Sequence, residues 1–116
     1  MVDDELNLLN LMSTFLKSQG YEVVTASDGY GGFAAFVASK PDLVILDYQM
    51  PAGTGGSVLE RIRSTDRGAL LPVILLSSLP TFQVEMNILL DKTHLHFMQK
   101  PADFAVLQAL LAQLTT

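Results

Sequence analysis

Residues 43–51, Leu-Val-Ile-Leu-Asp-Tyr-Gln-Met-Pro, constrain this chain more than any other stretch. Four apolar side chains in an unbroken run, with no polar alternation, suit a strand buried on both faces, the kind found where helices cover a parallel sheet. The run stops at a carboxylate. Asp47 therefore stands at the carboxyl end of its strand, the edge at which open α/β sheets bind ligands, and Met50-Pro51 with Gly53, Gly55 and Gly56 turns the chain away at once.

The remaining segments can be set around that strand. Leu6, Leu9, Met12 and Leu16 recur at helical spacing and predict a helix over residues 5–19, with Gly20 as its left-handed stop. The β-branched and aromatic residues 21–25 predict a short strand. Ser27-Asp28-Gly29 can cap a second helix with Phe33, Phe36 and Val37 on its inner side, ending near Lys40-Pro41. Val58, Leu59 and Ile62 mark a third helix, closed by the polar residues 64–68. Residues 73–76 repeat the buried apolar strand and end in Ser77-Ser78. Residues 81–90 fit both periods and are assigned to a helix; residues 95–98 form a last strand before Lys100-Pro101. Asp103 can cap a final helix carrying Leu107, Leu110, Leu111 and Leu114. Strands alternating with helices predict right-handed crossovers and a doubly wound parallel α/β sheet, in one domain spanning residues 1–116.

Composition narrows the function. A formal charge of −5, with seven basic residues in no cluster, argues against a nucleic-acid surface, which needs Lys and Arg to neutralise phosphates. There is no Cys to supply a thiolate, a disulfide or a zinc site, which fits a cytoplasmic location. No apolar run approaches the ~20 residues of a membrane helix, so no membrane partner is expected.

Asp3 and Asp4, Asp47, Ser77 and Lys100 are distant in sequence. The last three follow buried strands, and the acidic pair would follow one if residues preceded Met1. A parallel sheet brings all such ends to one edge, where these side chains can converge. Clustered carboxylates repel one another unless a hard cation such as Mg2+ neutralises them. An ammonium, a hydroxyl and a cation around one aspartate describe a site for phosphoryl transfer.

In these residues the chain resembles the receiver domain of two-component response regulators, over essentially its whole length. The matching residues are Asp3-Asp4-Glu5, the 47–51 segment with Gly55, Ser77 after its apolar run, and Lys100-Pro101. The resemblance implies a flavodoxin-like fold of strand order 2-1-3-4-5. It implies Asp47 as the acceptor of a phosphoryl group from a sensor histidine kinase, a phosphotransfer protein or a small phosphodonor. Asp4, Asp47 and the backbone carbonyl of Gln49 would hold Mg2+ directly, and Asp3 would act through a metal-bound water. Lys100 would pair with the acceptor and then with the phosphoryl group, and Ser77 would hydrogen-bond a phosphoryl oxygen. Phe97 falls at the family's aromatic switch position, reporting to a surface formed by the fourth helix, fifth strand and fifth helix. That surface is the candidate homodimer face and faces the output domain or protein. The only catalysis implied is the chain's own phosphorylation and dephosphorylation.

The chain departs from the family in three places. Its first strand is reduced to Met1 and Val2, the loop 91–94 lacks the expected Gly-Ala step, and Phe97 has no hydroxyl. Two other functions compete. A degenerate receiver would serve as a binding module without chemistry, and an aspartyl-phosphate phosphohydrolase would need an acid at the position of Gln49. His94 and His96, with no partnered acids nearby in sequence, are not expected to bind metal.

Overall fold

The segments predicted as strands at 43–46, 73–76 and 95–98 form one parallel sheet in a computed structural model that describes residues 1–50, 55–88 and 92–115; the first two are buried throughout, the third only in part. They are β1 (Val44–Asp47), β2 (Val73–Ser77) and β3 (Leu95–Gln99), in that spatial order. The register pairs Asp47 with Leu76 and Ser77 with Gln99, so the polar residues that end the strands gather at one edge. No helix among the described residues is long and apolar enough to cross a membrane.

Side-chain alternation along the strands divides the core in two. Val44, Leu46, Val73, Leu75 and Leu95 face helices α2 (Gly29–Ser39), α3 (Gly55–Arg63) and α4 (Thr81–Asn87), where they meet Phe36, Val58, Leu59, Ile62 and Val84. Ile45, Ile74 and Leu76 face helices α1 (Leu6–Ser18) and α5 (Phe104–Leu114), against Met12, Leu16, Leu107 and Leu111. This is the doubly wound arrangement that the unbroken apolar runs require, since a strand covered on both faces has no position for a polar side chain. Each such side chain removed from water contributes about 1.5–3 kcal/mol, which is why burial and not propensity sets these elements.

Local signals fix the helix ends. The Asp28 carboxylate accepts the Gly31 N–H at 2.7 Å, and the Asp103 carboxylate accepts those of Ala105 and Val106 at 2.9 and 3.2 Å. Gly20, just past α1, has φ +95°. α4 ends at Asn87 and Ile88 is extended, so the helix is shorter than the 81–90 reading; residues 89–91 lie outside the described residues, as does the turn at Pro51 and Gly53. Where the loop before β3 lacks a glycine, His94 itself takes the left-handed conformation, with φ +61°. Arg63 ties that loop down: its guanidinium donates to the carbonyls of Gly68, Leu71 and His94 at 2.7, 2.6 and 3.2 Å.

The predicted strand at residues 21–25 is not formed. These residues carry no ladder, and only Ala26 makes an isolated parallel bridge, to Val2. A strand needs a hydrogen-bonded neighbour, and the neighbour here is a stub. Val2 lies between Ala26 and Leu46, donating to the Ile45 carbonyl at 2.8 Å and accepting the Asp47 N–H at 2.8 Å. The stub is held on one side by glycine: a Cβ at Gly32 in α2 would stand 2.7 Å from Val2 Cγ2. The resulting order, segment 21–26, stub, β1, β2, β3, is the 2-1-3-4-5 order, with Val2 as the one bridging residue at the first-strand position.

Candidate functional site

At the carboxyl edge of the sheet, β1 delivers Asp47, the stub delivers Asp3 and Asp4, β2 delivers Ser77, and the residue after β3 is Lys100. Asp47 is buried because it continues the apolar run by one residue, and Asp3 is fully buried because the stub draws it in beside β1. Asp4 remains exposed. Carboxylate oxygens of all three lie within 4.8 Å of one another.

Lys100 is the counter-charge. Its Nζ is 3.1 Å from Asp3 Oδ2, 3.5 Å from Asp47 Oδ2 and 3.8 Å from Glu5 Oε2. Burial alone would lower the ammonium's pKa, but Asp3, Asp47 and Glu5 together outweigh it and hold the pKa above its ordinary value. One ammonium does not neutralise the cluster. Burial pushes the Asp47 carboxyl up to about 7, with the Asp3 charge adding to the rise and the Gln49 N–H and Lys100 opposing it. The Gln49 N–H donates to Asp47 Oδ1 at 3.2 Å, and the Glu5 N–H donates to Asp3 Oδ1 at 2.9 Å. Asp3 Oδ2 is buried and accepts no well-aligned hydrogen bond, despite the nearby ammonium.

That donor set suits a hard divalent cation. Three convergent carboxylates supply only oxygen, one of their buried oxygens lacks a hydrogen bond, and the Asp47 carboxyl is held partly protonated, by burial first and the Asp3 charge second.

Ser77 joins the site through Gln49. The Ser77 hydroxyl donates to Gln49 Oε1 at 3.2 Å and accepts the Leu79 N–H at 3.1 Å, while Ser78 donates to the same Oε1 from its N–H and its hydroxyl at 3.3 and 2.7 Å. The Gln49 side chain therefore spans from β1 to the end of β2. Sequence reasoning assigned Gln49 only a backbone role; its side-chain bridge depends on the β1–β2 register, which no local signal carries. The reach of Glu5 to Lys100 was equally hidden, although an acid beside Asp3-Asp4 was visible. Phe97 is half-buried, packed with the α2–α4 side of the core and near Ser77 and Leu79.

Residues 1–112 match the family described as the response regulator receiver domain. The chain is 37% identical over 83 residues to the DNA-binding dual master transcriptional regulator RpaA of Synechocystis, covering 72% of this chain and 34% of that protein. It is 40% identical over 78 residues to the probable transcriptional regulatory protein TcrX of Mycobacterium tuberculosis, covering 67% of this chain and 32% of that protein. The chain thus spans about a third of the length of these curated relatives. Among solved structures, chemotaxis protein CheY4 of Vibrio cholerae superposes with a TM-score of 0.87 at 24% identity, over 97% of this chain and 93% of that one. The receiver domain of the sensor histidine kinase PA1611 of Pseudomonas aeruginosa superposes at 0.86 and 24%, over 99% and 94%; that structure has a magnesium ion coordinated in its active-site cleft.

Proposed function

Because the chain belongs to the response regulator receiver domain family, a part of two-component signalling systems, we propose that its Asp47 is the residue that takes the phosphoryl group. The observation that carries this reading is the convergence of Asp3, Asp4 and Asp47 with Lys100 at the carboxyl edge of the sheet. Asp4, Asp47 and the Gln49 carbonyl would hold Mg2+, with Asp3 reaching it through water. The cation, when bound, would neutralise the carboxylates and draw charge from the phosphoryl oxygens.

The chain's own residues do the rest. Asp47 must be a carboxylate to attack, and Lys100 favours that form. Its oxygen bonds to phosphorus as the P–N bond of a kinase phosphohistidine, or the P–O bond of an acyl phosphate, breaks. Lys100 is close enough to turn from Asp47 to the new phosphoryl group. The Ser77 hydroxyl now donates to Gln49 and would exchange that acceptor for a phosphoryl oxygen. Phe97, beside Ser77 in the packing, would pass the change to the face around α4, β3 and α5, where an output domain, a partner protein or a second copy would dock. A cytoplasmic location would fit a kinase donor.

The test is intact mass spectrometry after incubation with acetyl phosphate and Mg2+, comparing the chain with Asp47→Asn. One added phosphoryl group in the parent and none in the variant is the expected result. Labelling of both would remove Asp47 from the role, and labelling of neither would make the chain a binding module without chemistry.

A further inference from the structure

An exposed glutamine ordinarily keeps its rotamer freedom in water, and holding it in one place costs entropy. Gln49 is exposed and is nevertheless held. Its Oε1 accepts three hydrogen bonds: from the Ser77 hydroxyl at 3.2 Å, the Ser78 N–H at 3.3 Å and the Ser78 hydroxyl at 2.7 Å. Its backbone N–H meanwhile donates to Asp47 Oδ1 at 3.2 Å. One residue therefore touches the carboxylate of Asp47 through its main chain and the end of β2 through its side chain.

Ser77 is the point of exchange. It is buried, with 2% of its surface exposed, so water is not at hand to replace a lost partner. A serine hydroxyl has a single proton to give. Here that proton goes to Gln49, while the hydroxyl oxygen accepts the Leu79 N–H at 3.1 Å. Ser77 cannot donate to Gln49 and to an anionic oxygen on Asp47 at the same time. Its carbonyl accepts the Lys100 N–H at 2.7 Å, which ties the main chain to the end of β3 and leaves the hydroxyl as the part that turns.

We propose that Gln49 is a positioning residue that sets the threshold of the switch: its amide oxygen competes with the phosphoryl oxygens for the Ser77 proton, and Ser78 holds it in place to compete. This rests on Asp47 being the phosphoryl acceptor. A phosphoryl oxygen is charged and forms the stronger hydrogen bond, so it wins the proton, but only by the difference between the two bonds. Every contact that steadies Gln49 in the unphosphorylated chain reduces that difference. Without the amide oxygen, the buried Ser77 hydroxyl loses its acceptor in the unphosphorylated chain alone, and the equilibrium moves toward the phosphoryl-bound arrangement.

The experiment is a calorimetric titration of the full chain with beryllofluoride, a non-covalent stand-in for the phosphoryl group, in excess Mg2+. Gln49→Leu, similar in bulk and without an acceptor, should bind it about fivefold tighter than the parent. Ser78→Ala, which leaves residue 49 itself unaltered, should bind it about twofold tighter. In a Ser77→Ala chain, where there is no proton to compete for, adding Gln49→Leu should change nothing. A merely structural role for Gln49 would weaken binding in both backgrounds. Unchanged or weaker binding by both Gln49→Leu and Ser78→Ala would overturn the proposal, as would an equal gain from Gln49→Leu in the Ser77→Ala chain. A parent that binds no beryllofluoride would remove Asp47 from the acceptor role and the competition with it. A parent that binds, with variants that match it, would remove the competition alone.

Discussion

Asp47 shows how one residue's burial sets its chemistry. Its carboxyl is raised to about 7 by the same apolar run that makes its strand, so near neutral pH it is shared between acid and carboxylate forms. A proton and a cation compete for it. The raised pKa means that protons win below about 7 and the cation wins above it, so Mg2+ affinity should rise up to about tenfold per pH unit below 7 and level off near 8. Calorimetric titration from pH 6 to 8.5 measures this directly, and a flat profile would contradict it. Lys100 offsets the same negative charge from within the protein. Lys100→Ala should lower stability without cation by about 1–3 kcal/mol, and Mg2+ should restore most of the loss, as thermal unfolding would register. Asp47 and Ser77 were legible because each directly follows an unbroken apolar run, and Lys100 because it closes the last predicted strand. The bridge from Gln49 to Ser77 and Ser78 was not, because residues 28 and 29 positions apart meet only through strand pairing.

Among the elements, β1 and β2 could be read because unbroken apolar runs have no alternative but to be covered on both faces, whereas β3, Leu-His-Phe-Met-Gln, is only partly buried and was marked by its place before Lys100-Pro101. Residues 21–25 have the same β-forming composition and fail to pair, since a strand is completed by its neighbour and this neighbour ends at one bridge. Helix caps were equally legible: Asp28 and Asp103 accept the N–H groups expected of them. The end of α4 was not, because both periods fit that segment. The loop before β3 gives an element-scale prediction. His94 is exposed, its carbonyl is used by Arg63 and Val73, and its φ of +61° is costly for any residue with a Cβ. His94→Gly keeps the carbonyl and removes the strain, and should raise stability by about 1 kcal/mol in chemical denaturation. An unchanged or lower midpoint would mean that the loop holds its shape for another reason.

For the molecule as a whole, the doubly wound architecture, and with it the edge where chemistry collects, follows from where apolar runs stop. The acidic pair reaches that edge directly after Met1 and Val2, which are held by hydrogen bonds to Ile45, Asp47 and Ala26. The complete burial of Asp3 beside Asp47 is a property of the assembled sheet and has no local signature in the sequence. The proposal that Asp47 carries the phosphoryl group rests on this assembly. It is tested most directly by borohydride reduction of the chain after incubation with acetyl phosphate and Mg2+, followed by peptide sequencing in the mass spectrometer. Reduction converts an aspartyl phosphate to homoserine, so the account predicts homoserine at position 47 and nowhere else. Homoserine at Asp3 or Asp4, or an unreduced chain throughout, would contradict it.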